Sequence, residues 1–132
     1  MDFNNINIWA VLVAAVASFA IGFVWYHPGV FGKRWQKDVG LSDEAMTNAN
    51  MGKIFGASFV LTFIMALVLA SFHPHGYGQG IWMGGFLGIG LIATSFGVNY
   101  LFQRKSMVLW LIDAGYQLMV MLLIGLIIGA WR

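Results

Sequence analysis

An aspartate, a tyrosine and a glutamine stand at Asp113, Tyr116 and Gln117, spaced i, i+3, i+4 in a run that is otherwise apolar. On a helix that spacing puts all three on one face. Asp113 carries the most chemical weight, because a carboxylate at the centre of a bilayer span costs roughly 2.5–3.5 kcal/mol. It lies six residues in from Met107, which is ~9 Å of helix at ~1.5 Å per residue. Asn99, across a tight turn, falls at a similar depth and is expected to donate its amide to the carboxylate. Tyr26 and Trp25 end an earlier apolar run at the same level, and His27 and Tyr100 are also near. Together Asp113, Asn99, Tyr116, Gln117, Tyr26 and Trp25 make the candidate polar site, one suited to an ion, a proton or a small polar group. Two plainer readings compete with it. The same residues could act as polar glue between helices, at ~1 kcal/mol per bond, or Asp113 could reach back to the membrane surface.

Other chemistry has little support. The chain has no cysteine, so thiolate catalysis and disulfides are excluded. There is no helical His-Glu-x-x-His, no glycine-rich phosphate loop and no Ser/His/Asp set. His73-Pro-His75 lacks a carboxylate partner and makes a poor metal site. Neither an enzyme nor a cofactor is expected.

Four apolar runs must position the polar group, over residues 8–26, 54–72, 81–102 and 107–131. Each is long enough to cross a hydrocarbon core of ~30 Å. Of 132 residues, 60% are hydrophobic and 9% charged, far from the ~25% charged of a soluble domain. The longest connection, residues 27–53, is too short for a core of its own. The expected fold is therefore all-α and integral to the membrane: a compact bundle of four transmembrane helices forming a single domain over 1–132. A short interfacial helix is expected in the first loop. There Phe31 and Trp35 would sit among the lipid headgroups, with Lys33, Arg34 and Lys37 reaching the phosphates. Ser42 is a plausible N-cap for a second short helix leading into the second span.

Small residues recur four apart along the runs: Ala10, Ala14, Ser18 and Gly22 in the first, and Ser58, Thr62, Ala66 and Ala70 in the second. Such spacing lets helix backbones approach closely. Gly80, Gly84 and Gly88 in the third run and Gly125 and Gly129 in the fourth are the expected packing seam. At 100° per residue, Ser95 and Asn99 fall on the same face as the third-run glycines. A faint echo links Gly22-Phe-Val-Trp-Tyr26 to Gly97-Val-Asn-Tyr-Leu-Phe102, each before a basic loop, and makes a parallel duplication conceivable.

Lys33, Arg34, Lys37, Lys53, Arg104 and Lys105 lie in the first and third loops, and Arg132 alone on the other side. The positive-inside rule then puts both loops in the cytoplasm and both termini outside. Trp9, Trp82 and Trp131 mark the outer boundary, and Trp25, Trp35 and Trp110 the inner one. The cations are not interleaved with aromatics in a solvated patch, so nucleic acid is not an expected partner.

The run Gly22-Phe-Val-Trp25-Tyr26-His-Pro28-Gly-Val-Phe31-Gly32-Lys33-Arg-Trp35, with the later Asn99-Tyr-Leu-Phe102 and Gly115-Tyr116, resembles an uncharacterised bacterial membrane family known as domain of unknown function 1761. The resemblance implies a four-span protein of the bacterial inner membrane and no particular activity. From the residues, the favoured function is a small homo-oligomeric channel or transporter with its polar site in the cytoplasmic half. The alternative is a non-transporting accessory subunit of a larger membrane complex, or a scaffold that binds membrane lipids.

Overall fold

The computed structural model describes residues 1–131; Arg132, the lone cation assigned to the outer side, lies outside them. The described chain is helical, with no strand, in the order α1 (Ile8–Trp25), a π turn (Pro28–Gly32), α2 (Lys33–Val39), α3 (Asp43–Thr47), α4 (Met51–Ala70), α5 (Gly76–Leu87), a second π turn (Gly88–Ala93), α6 (Thr94–Phe102) and α7 (Met107–Ala130). α5, the second π turn and α6 form one continuous rod. The rod, α1, α4 and α7 are the four helices long and apolar enough to cross a membrane.

Local chemistry sets the helix ends. Asn7 caps α1 by accepting from the Trp9 and Ala10 backbone N–H groups at 3.1 and 3.2 Å. Beyond Tyr26 the Pro28 ring cannot continue the ladder, and the chain enters the first π turn. Ser42 caps α3 as its position suggested, accepting from Ala45 N–H at 3.1 Å. α3 does not run on into the second span, however. It stops at Thr47, and Asn50 starts α4 afresh by accepting from Lys53 N–H.

α7 is the hub. It packs most extensively on α5, then on α1 and α4. The α5–α7 seam is glycine against backbone, as expected. A Cβ on Gly80 would fall on the Gly125 carbonyl, one on Gly84 on the Met121 carbonyl, and one on Gly129 on the Gly76 carbonyl. Without those side chains the helix axes can approach closely, and dispersion contacts replace the hydrophobic drive that lipid cannot supply. The remaining core joins Ala10 and Ala14 of α1, Ala66 and Leu69 of α4 and Ile124 of α7.

That core occupies the half of the bundle away from the basic loops. Towards the basic end α1 and α4 part. Residues 51–57 of α4 are all exposed, and the small residues give way to phenylalanines. Phe19 meets Phe55 edge-on at 5.9 Å and stacks with Phe59 at 6.5 Å, and Phe23 lies 6.4 Å from Phe55. Large rings where the other half has alanines hold these two helices apart.

Candidate functional site

At the basic end α7 carries Asp113, only 8% exposed. Both carboxylate oxygens are engaged. The Tyr26 hydroxyl, at the end of α1, donates to Oδ1 at 2.6 Å. The Tyr100 hydroxyl, from α6, donates to Oδ2. An ionised carboxylate is acceptor-only and suits two hydroxyl donors, and such charge-assisted bonds are short and strong. One side chain thus ties three of the four long rods together. It neither faces lipid alone nor reaches back to the surface.

Asn99 is not the partner. It is exposed, and its neighbour Tyr100 takes the place expected for it. The cause is the second π turn. A π turn hydrogen-bonds i to i+5 and accommodates one extra residue per turn. The helix beyond it is therefore rotated by about one residue relative to an unbroken α-helix, ~100°. Gly80, Gly84 and Gly88, before or at the start of the turn, keep the face expected for them. Ser95 and Asn99, beyond it, are carried off that face and are exposed.

The other candidates take different places around the site. Trp25 does not hydrogen-bond the carboxylate; its indole N–H donates to the Ile112 carbonyl at 2.8 Å, one residue from Asp113. Its ring also occupies the space a side chain at Gly115 would need. Tyr116 meets Tyr26 edge-on at 5.1 Å, and Gly22 leaves room for its hydroxyl. Gln117 is half-buried and makes no hydrogen bond to Asp113. The inner tryptophans act as internal ties more than as a membrane belt: Trp110 donates to the Ala93 carbonyl at 2.9 Å, at the end of the π turn. Trp9 and Trp82, in contrast, are largely exposed.

The interfacial segment also differs from expectation in where its rings point. Phe31 packs on Trp25 at 5.0 Å and Trp35 meets Tyr26 edge-on at 5.6 Å, so both turn back onto the site. Lys33, Arg34 and Lys37 are exposed. The segment is fastened to the α6–α7 turn by a contact that residue spacing did not reveal. The Ser106 hydroxyl donates to Asp38 at 2.6 Å while capping α7 at Leu109 N–H. Asp38 also pairs with Arg34 at 3.0 Å. The Ser106 hydroxyl first, and then Arg34, hold the Asp38 carboxyl below its usual range.

Two cavities flank Tyr26. One, of about 580 Å³, lies between α1 and α4 and is lined by Phe19, Phe23, Phe55, Ser58 and Tyr116 among others. The second, of about 490 Å³, runs along α2 past Lys33 and Lys37 to Asp43 and Met46. Tyr26, Pro28 and Trp35 border both. At the opposite end His73 reaches the Asp2 carbonyl with a ring nitrogen at 2.9 Å. No group of three His, Asp or Glu side chains among the described residues could hold a metal.

A helical membrane-type bundle with a buried acid held by aromatic hydroxyls is the class this architecture defines. The family described as "Protein of unknown function (DUF1761)" matches residues 9–129, and the chain belongs to that family. Comparison with curated proteins and with solved structures gave no match.

Proposed function

We propose that this protein is a non-catalytic, lipid-binding scaffold of the bacterial inner membrane. Its basic end lies in the cytoplasm, and the cleft between α1 and α4 takes the acyl chains of a membrane lipid. The observation that carries the reading is the juxtaposition of the two cavities. An apolar cleft lined by aromatics, Phe19, Phe23 and Phe55 among them, shares a border with a groove that carries cations. That is the polarity of a lipid, tail to head. The positions of the loop cations favour the orientation.

A channel through the protomer has less support from the same geometry. Asp113 would have to face a pathway, yet both its oxygens accept from tyrosines. On the other side the Gly80–Gly125 seam closes backbone on backbone. The Asp113 cluster serves better as a brace. It fixes Tyr26, and Tyr26 with Trp35 forms the shared wall of both cavities.

The test is photo-crosslinking in membranes with a lipid carrying a diazirine on its acyl chain. Label concentrated on Phe19, Phe55 and Ser58, and reduced by Ser58→Trp, is the expected result. Label spread evenly over the lipid-facing residues of all four rods would refute the reading.

A further inference from the structure

We infer that the occupant of the cleft is an anionic glycerophospholipid whose phosphate sits between Lys33 and Lys37; this rests on the lipid-binding reading above and names its substrate class. The three cations of α2 are not equivalent. Arg34 is committed, its Nε donating to Asp38 Oδ1 at 3.0 Å, the one ion pair among the described residues. Lys33 and Lys37 stand four residues apart, one above the other on a single helix face. Both line the groove together with Trp35, and neither has an ion pair among the described residues. The only carboxylate on the groove wall among the described residues is that of Asp43, and its Oδ1 accepts from the Gln36 side-chain amide at 2.8 Å. The groove therefore keeps a net positive charge of one.

Position selects the ligand further. A chain seated against Phe19 and Phe55 has its polar end at the wall made by Tyr26, Pro28 and Trp35, and the lysines lie immediately beyond. A phosphate there gains two cations. A choline or ethanolamine head would bring its own cation against them, whereas a glycerol head would not. The apolar cleft commits the site to a lipid, since a free phosphate would leave it unfilled.

The experiment is native mass spectrometry of the intact protein. It is released from micelles containing equal amounts of phosphatidylglycerol and phosphatidylcholine, and the retained lipid is counted. Each lysine near the headgroup is worth about fivefold in affinity for an anionic lipid. Lys33→Gln with Lys37→Gln is therefore expected to lower the preference for the anionic lipid by about 25-fold. The charge-matched pair Arg104→Gln with Lys105→Gln, on the same face of the membrane, is expected to leave it unchanged. Equal retention of both lipids by the parent protein would overturn this inference and leave the cleft reading standing. So would a preference that survives the lysine pair, or one that falls equally with the arginine–lysine pair. Retention of no lipid at all would remove both.

Discussion

Replacing Tyr26 with phenylalanine removes one hydroxyl and leaves the ring contacts with Trp35 and Tyr116 in place. The lost bond to Asp113, 2.6 Å long, is interhelical, and such bonds within bilayers contribute about 0.6 kcal/mol on average and up to ~2. Its partner is a carboxylate, which favours the upper part of that range, so Tyr26→Phe should cost about 1 kcal/mol. Tyr100→Phe should cost a similar amount. The informative variant is the double one. With both hydroxyls gone a carboxylate only 8% exposed loses both of its protein donors, and leaving a buried charged acceptor unsatisfied costs upward of about 3 kcal/mol. The double variant should therefore lose at least ~1 kcal/mol more than the two single losses added together, because the first substitution leaves one donor and the second leaves none. Asp113→Leu in the double-phenylalanine background should recover much of the loss, since it removes the stranded charge. Reversible unfolding in mixed micelles, followed by circular dichroism, measures all of these. A double variant no less stable than either single one would refute the brace.

Asn99→Ala should leave stability within about 0.5 kcal/mol, in contrast to Tyr100→Phe, because the π turn has carried Asn99 to the exposed surface; the same unfolding assay decides. Gly125→Leu should disrupt the α5–α7 seam, where even a Cβ collides with the Gly80 carbonyl, at a cost of several kcal/mol. Gly90→Leu, with open space around it, should be tolerated, and thermal stability in detergent separates the two. The Asp38 carboxyl titrates below its usual range because Ser106 and then Arg34 stabilise its charged form. Its contribution is thus present above the ordinary carboxylate range and lost as pH falls through the depressed value. Ser106→Ala should move that titration upward, read from the Asp38 carboxyl carbon by NMR.

Much of this arrangement can be read from residue types. The four rods follow from uninterrupted apolar length, and the inward stripes follow from small residues four apart: Ala10, Ala14 and Ser18 on α1 and Ala66 and Ala70 on α4 are all buried. Asp113 stands out because a charge within an apolar run has few inexpensive places to go. Its partners are harder to read. Depth along the span puts Tyr100 near the site, but regular 100° periodicity selects Asn99 as the partner, because one π turn in the preceding rod shifts the phase and no residue between Gly88 and Ala93 announces it. The echo between Gly22–Tyr26 and Gly97–Phe102 holds a clue, since a tyrosine from each segment meets the one carboxylate. The aromatic cleft is likewise invisible in any single segment. It arises only where Phe19 and Phe23 of one rod meet Phe55 and Phe59 of another. Phe31 and Trp35 read as headgroup anchors by their spacing, yet tertiary packing turns them onto Trp25 and Tyr26.

The most direct test of acyl-chain occupancy is an NMR measurement in lipid nanodiscs, with the protein deuterated except for its phenylalanine rings. Magnetisation transfer from lipid chains should be stronger to Phe19, which is half-buried and lines the cleft, than to Phe102, which is 85% exposed. It should also fall at the cleft rings in Ser58→Trp. Transfer that simply follows exposure, strongest at Phe102 and Phe86 and weak at Phe19, would contradict a lipid held between α1 and α4.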